Sequence, residues 1–190
     1  MDAHVVPDPP QPFRRRSVRL VDHGYGHGLY FVTICGTQRT PLFGAVNSRG
    51  MCLSPVGEIA RDEWARTLNR PEIVPDVFVV MPDHVHVLFG VVPIGGDSPT
   101  DTSCGRGTAR CAPTPPPDAP RAFGQVVPRT VPAIIRAYKS AVTRAVRQAH
   151  PEMTVWQRGY HDRVVRSERE AQNTRRYIAE NPERWASRAA

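Results

Sequence analysis

Residues 79–89 constrain the fold more than any other part of the sequence. Two apolar runs, 79–81 and 87–89, are separated by Pro82, Asp83 and a His-x-His motif. Side chains alternate between the faces of a strand, so His84 and His86 share one face. Two imidazoles about 7 Å apart along a strand can bind one metal ion if a third ligand comes from elsewhere. A histidine pair on the solvent face of an edge strand has the same pattern, so the motif alone leaves both interpretations open.

The composition favours a nucleic-acid partner. The 190 residues suffice for one domain with a full core, and their formal charge is +7. Arginine supplies nearly all of the positive charge, because Lys139 is the only lysine. Arginine forks suit phosphate oxygens, whereas a high-GC genome would explain the preference for arginine but not the excess charge. No apolar run could cross a membrane, and the four cysteines show no metal-site spacing, so we expect a cytoplasmic protein.

Two segments are predicted to lie outside the folded core. Residues 1–16 are rich in proline and end in Arg14, Arg15 and Arg16, which could bind a backbone phosphate or form a solvated tail. Residues 93–128 are rich in proline and small residues and show no periodic apolar face. We therefore expect a disordered arm followed by a single domain, 17–190, that contains a disordered insertion.

The remaining segments predict strand, helix, two strands, helix, strand, helix. Residues 29–35 are rich in β-branched and aromatic side chains and almost continuously apolar, which indicates a central strand covered on both faces. Ser54 and Pro55 predict the start of a helix that ends near Asn69. Pro75 is expected to break the strand that precedes the histidines.

Two further helices are predicted in the last third of the chain. The first begins at Thr130, with an apolar stripe on one face and mostly positive charges, including Lys139, on the other. A strand at 163–166 follows. Ser167 and Glu170 form a capping box that predicts the start of the last helix, which we expect to end at Pro182.

The last helix carries a candidate nucleophile. Tyr177 and Asn181 lie one turn apart on one face. A tyrosine that packs its ring and exposes its hydroxyl is the simpler interpretation. However, the amide oxygen of Asn181 could complete a metal site with the two histidines, and Mg²⁺ and Mn²⁺ both prefer oxygen ligands. A phenol beside such a cation could attack a phosphodiester and form a covalent phosphotyrosine. Tyr160, next to His161, is the competing candidate.

Five segments together resemble the REP-associated tyrosine transposases, single-strand transposases with a His-hydrophobic-His motif and one tyrosine. They occur in the order of that family and cover the chain from about residue 14 to 186. The segments are YFVTIC at 30–35, VVMPDHVH at 79–86, IRAYKS at 135–140, VWQR at 155–158 and YIAENP at 177–182.

The resemblance implies an α+β, ferredoxin-like fold: an antiparallel sheet with two helices on one face, followed by a C-terminal helix that carries the tyrosine. His84 and His86 match the metal-binding pair, Asn181 matches the residue that completes the Mg²⁺ or Mn²⁺ site, and Tyr177 matches the nucleophile. The implied activity is an endonuclease and strand transferase that cleaves single-stranded DNA beside imperfect hairpins (REP-like palindromes) and rejoins it through a 5′-phosphotyrosine.

The same resemblance says less about the DNA-binding surface and the oligomeric state. Arg14, Arg15, Arg16, Lys139 and Arg158 are candidates for contacts to the DNA backbone. Both monomers and homodimers are compatible with the family, and a DNA-acting protein would be associated with the nucleoid.

Three other functions remain open at this stage. The main alternative is a non-catalytic protein that binds DNA hairpins and has kept the fold. An RNA-binding module could stack bases on Phe31 and Phe89 if they were exposed on the sheet. A zinc hydrolase could use His161 as a third imidazole ligand beside His84 and His86.

Overall fold

A computed structural model of the protein describes residues 25–48, 50–94 and 127–189. The predicted arm at 1–16 and most of the predicted insertion lie outside the described residues. The elements in chain order are strand β1 (Gly28–Cys35), a 3-10 turn (Thr37–Arg39), β2 (Gly44–Asn47), β3 (Gly50–Leu53), helix α1 (Pro55–Thr67), β4 (Ile73–Val80), β5 (His84–Val91), α2 (Val131–Ala149), β6 (His161–Val165) and α3 (Glu168–Ala189).

The main sheet has four antiparallel strands in the order β4-β5-β1-β6. The two helical connections, α1 between β1 and β4 and α2 between β5 and β6, give the βαββαβ arrangement of a ferredoxin-like fold. The predicted fold class and the central position of β1 are therefore confirmed. In the register of the sheet, Thr33 on β1 lies between His86 on β5 and His161 on β6.

One face of the sheet packs against α1 and α2. Tyr30 and Val32 from β1 and Val87 and Phe89 from β5 are fully buried there. Tyr138 on α2 joins the two helices, since its hydroxyl donates to the carbonyl of Ala60 on α1 at 3.0 Å.

The opposite face is covered by α3. Leu88 and Val165 from the sheet and Ala171 and Ile178 from α3 form a second, smaller cluster of buried side chains. This small cluster agrees with the sparse apolar stripe of α3 in the sequence. Because alternate residues of β5 face opposite sides, His84 and His86 lie on the α3 side with Leu88.

Helix starts follow the predicted caps. Ser54 accepts a hydrogen bond from the backbone N–H of Gly57 at 3.1 Å. At the start of α3, the Ser167 hydroxyl oxygen accepts from the N–H of Glu170 at 3.2 Å, while the Glu170 carboxylate accepts from the N–H of Arg166. Among the described residues, no helix is both long and apolar enough to cross a membrane.

Two expectations about element boundaries were wrong, and one element was not predicted. Helix α3 continues through Pro182 to Ala189, because the buried Asn181 and the half-buried Trp185 keep both sides of the proline packed. Pro75 does not break β4, because β4 is an edge strand and tolerates the missing donor with a shift of register before Phe78. The β2–β3 hairpin was missed, since its four-residue strands carry little periodic signal.

Candidate active site

The two histidines of β5 form the centre of the site. Their Nε2 atoms lie 3.0 Å apart, and both side chains are buried. Such a distance fits a hydrogen bond between one protonated and one unprotonated nitrogen. It also equals the separation of two nitrogens that bind one ion at about 2.1 Å and a right angle. The predicted shared face of His84 and His86 is confirmed by the contact between their rings.

The other nitrogen of each imidazole has its own partner. His84 Nδ1 is hydrogen-bonded to the carboxylate of Asp83, and His86 Nδ1 lies 2.9 Å from the hydroxyl of Thr33. A carboxylate on the far nitrogen fixes the orientation of a ring and leaves the opposite nitrogen free to bind a metal. Arg39 lies 4.0 Å from Asp83 and partly balances its charge.

Helix α3 passes over the histidine pair. The Tyr177 ring lies 5.5 Å from the His86 ring, and the Trp185 ring lies 5.9 Å from the His84 ring, between centroids. Asn181 is buried and lies midway between these two residues on the same helical stripe. Asn181 therefore faces the sheet on the same side of α3 as the two residues that contact the imidazoles.

Tyr177 is held by ring contacts and is reachable from solvent. Its ring makes a T-shaped contact with that of Phe31, 6.0 Å between centroids, and the guanidinium of Arg184 lies 5.8 Å from the Tyr177 centroid. The side chain is 39% exposed, whereas the histidines beneath it are below 10%. A group outside the protein can thus approach Tyr177 while the imidazoles stay shielded.

The donor set fits a divalent metal that takes mixed nitrogen and oxygen ligands. Burial, with a smaller contribution from His84, lowers the pKa of His86 to about 3, so this imidazole is neutral and able to bind a cation. Within the described ranges, no group of three His, Cys, Asp or Glu side chains could hold an ion. The buried Asn181 stays a candidate for a third protein ligand, and an amide oxygen suits Mn²⁺ or Mg²⁺ better than zinc.

The predicted DNA-contacting residues fall into two groups. Arg14, Arg15 and Arg16 lie outside the described residues. Lys139 and Arg158 line a groove of about 620 Å³ between α2 and the chain before β6. Two further arginines, Arg144 and Arg147, line the same groove.

The geometry weighs against the competing site assignments. Tyr160 packs against the core on the α1–α2 side of the sheet, opposite the histidines. His161 shares the face of His86 but is separated from it by Thr33, and no described three-residue metal cluster includes it. Phe89 is fully buried and Phe31 lies beneath α3, so neither offers an open platform for RNA bases.

Four residues of the site were not predicted as parts of it. Asp83 directly precedes the histidines, and that adjacency was the available signal. Thr33 and Arg39 reach the site through the pairing of β1 with β5 and the turn after β1, which a single sequence does not specify. Trp185 was missed because α3 was expected to end at Pro182.

The fold and this site define an α+β domain with a buried histidine pair under a tyrosine-bearing helix. No family model matches the sequence. An uncharacterised protein of Haemophilus influenzae is 28% identical over 173 residues, 90% of this chain and 89% of that protein.

Two solved structures are similar in fold. A REP-associated tyrosine transposase bound to a REP hairpin superimposes with a TM-score of 0.50 and 17% identity, covering 83% of this chain and 67% of that one. A Deinococcus radiodurans protein provisionally described as a transposase gives a TM-score of 0.41 and 19% identity, over 83% and 94% of the two chains. The first supports the fold assignment, and the second is too dissimilar to support an inference.

Proposed function

We propose that the protein is a metal-dependent, single-strand DNA transposase or endonuclease of the REP-associated tyrosine kind. The observation that carries this proposal is the contact of Tyr177 with His86, 5.5 Å between ring centroids, above a buried histidine pair. A tyrosine that only packed against the sheet would not need two oriented, buried imidazoles beneath it. The shared fold with a transposase bound to hairpin DNA supports the choice of substrate.

His84, His86 and Asn181 are the residues that would hold Mg²⁺ or Mn²⁺. When bound, the cation would polarise a phosphodiester and offset the charge that develops on its oxygens. Asp83 and Thr33 keep the two imidazoles in orientation, and the burial of the pair excludes water from competing contacts. Trp185 closes the site on the side of His84.

Tyr177 is the proposed nucleophile. Its phenolic oxygen attacks the phosphorus in line, and a P–O bond to the tyrosine forms as the bond to the 3′-oxygen breaks. The phenol loses its proton and the departing 3′-oxygen gains one, so the upstream fragment ends in a 3′-hydroxyl while the downstream fragment stays bound to the tyrosine through its 5′-phosphate. Attack by another 3′-hydroxyl reverses the same exchange of ester bonds, so rejoining needs no external energy source.

The DNA strand is expected to follow arginine side chains outside this centre. Arg158 projects into the groove beside α2 together with Arg144 and Arg147, and the N-terminal Arg14, Arg15 and Arg16 would add further phosphate contacts. Such contacts position a strand without reading its sequence. Arg175 is an unsuitable candidate, because Asp76 and Glu168 already bind its guanidinium.

The test is a search for a covalent protein–DNA adduct. Labelled single-stranded hairpins from the flanks of the protein's own gene are mixed with wild type or Tyr177→Phe, in Mn²⁺, Mg²⁺ or EDTA, and separated under denaturing conditions. We expect an adduct that requires both the metal and Tyr177.

Each other outcome has a definite meaning. An adduct that persists in Tyr177→Phe would reassign the nucleophile, with Tyr160→Phe as the next variant. Tight hairpin binding without any adduct would identify a non-catalytic hairpin-binding protein instead.

A further inference from the structure

The residues on either side of Arg158 are hydrogen-bonded to Lys139 on α2. The Lys139 ammonium donates to the carbonyl of Gln157 at 2.8 Å and to that of Gly159 at 2.7 Å. The Trp156 indole N–H donates to the carbonyl of Lys139 at 3.1 Å. Three hydrogen bonds therefore hold Trp156, Gln157 and Gly159 around Arg158, while the Arg158 side chain itself is exposed.

These contacts use the ammonium group of Lys139 within the protein. Two of its three N–H donors are used by backbone carbonyls, and the ammonium lies 6.0 Å from the centroid of the Trp156 ring. The side chain is only partly exposed, and burial lowers its pKa. A lysine that contacts a phosphate would instead extend its ammonium into solvent as a mobile point charge.

The backbone at Gly159 also depends on this arrangement. Gly159 has a φ of +82°, a left-handed conformation that glycine adopts freely and other residues adopt with strain. An added Cβ would meet no atom within 4 Å, so a substitution there would act through the backbone alone. The turn and the Lys139 contacts together fix where Arg158 leaves the chain.

We propose that Lys139 is a positioning residue, and that Arg158 is the residue of this pair that contacts a DNA phosphate. This revises the expectation that Lys139 contacts DNA itself. The inference rests on the proposed function only in requiring that the protein bind DNA. Lys139 would pre-organise the loop so that Arg158 loses little freedom on binding.

A double-mutant cycle tests the proposal through the salt dependence of binding. Affinities of the full chain for a labelled hairpin oligonucleotide are measured by fluorescence anisotropy from 50 to 300 mM KCl, without divalent metal. The proteins are wild type, Lys139→Met, Arg158→Met and the double variant. Each lost phosphate contact lowers the slope of log K against log salt by about 0.7 to 0.9.

If Lys139 acts by positioning Arg158, then Lys139→Met, Arg158→Met and the double variant all lose the same single phosphate contact. Each single variant should lower the slope by about one contact, and the double variant should lower it by no more. Two independent phosphate contacts would instead give additive losses and a slope lower by about two contacts, which would overturn the proposal. Arg147→Met is the matched control, since it removes one groove charge without touching the loop, and its loss should add to that of Lys139→Met.

A second variant removes no charge. Gly159→Ala strains the left-handed turn, so it should lower the slope by about one contact although the net charge is unchanged. Wild-type slope and affinity in Gly159→Ala would contradict the proposal. Thermal unfolding of every variant confirms that it is folded, and wild type that fails to bind the hairpin would contradict the proposed function itself.

Discussion

The indole of Trp185 lies 5.9 Å from the imidazole of His84, between ring centroids. This contact exists because α3 does not end at Pro182 but continues for seven more residues, to Ala189. The helix thereby covers the histidine pair at two points, with Tyr177 over His86 and Trp185 beside His84. A cover of this length separates the imidazoles from solvent and leaves an approach beside Tyr177.

Trp185→Ala should weaken metal binding, because it opens His84 to water and loosens the end of α3. We expect Mn²⁺ affinity, measured by the decline of the free-ion EPR signal, to fall by several-fold. Trp185→Phe is the control, since it keeps an aromatic ring at the same place and should stay close to wild type. Equal Mn²⁺ affinity in Trp185→Ala would mean that Trp185 serves only to pack α3.

His84→Ala and His86→Ala should each abolish adduct formation and the binding of Mn²⁺. Hairpin affinity should stay within a few-fold of wild type in both variants, because contacts to phosphates dominate affinity and the histidines make none. The comparison uses adduct gels and anisotropy on the same preparations. Normal cleavage by either variant would show that the histidines are not metal ligands.

Asp83→Asn should lower Mn²⁺ affinity by about 10- to 100-fold, as changes at partners of metal-binding histidines commonly do. The amide keeps the shape of the side chain but supplies no charge to hold and polarise the His84 ring. Thr33→Val is the matched change at His86, where a neutral hydroxyl is lost, and should have a smaller effect. A larger loss in Thr33→Val than in Asp83→Asn would reverse this ranking of the two partners.

The sequence predicted those parts of the site that lie on single elements. The shared face of His84 and His86 follows from the period of a strand, and the proximity of Tyr177 and Asn181 follows from one turn of helix. The positions of Thr33 and Arg39 depend on which strands pair, a long-range property that local patterns do not carry. Pro182 misled the prediction because packing on both sides of it outweighs the loss of one backbone hydrogen bond.

The same distinction explains why the role proposed for Lys139 differs from the one that the sequence predicts. Its position on the charged face of α2 indicated a contact with DNA, since a periodic pattern shows which face a residue occupies but not what it meets there. The two carbonyls that bind it belong to a loop 18 and 20 residues later in the chain. Only the packing of that loop against α2 shows that the Lys139 ammonium bonds to the protein backbone instead of extending into solvent.

Tyr30 and Tyr138 should make the fold sensitive to alkaline pH. Burial raises the pKa of Tyr30 to about 12 and raises that of Tyr138 further still. The unfolded chain releases these protons near pH 10, whereas the folded protein retains them, so both groups favour the folded state fully below pH 10. As pH rises above 10, each tyrosine should remove up to about 1.4 kcal/mol of unfolding free energy per pH unit.

Urea unfolding of wild type and Tyr138→Phe from pH 8 to 11.5 isolates one of these groups. Below pH 10 the variant should be less stable by about 1 kcal/mol, because the carbonyl of Ala60 loses its donor. Above pH 10 the stability of the variant should fall less steeply, and the two curves should converge. Because other titrating groups are common to both proteins, parallel curves across this range would show that Tyr138 does not contribute to the alkaline loss of stability.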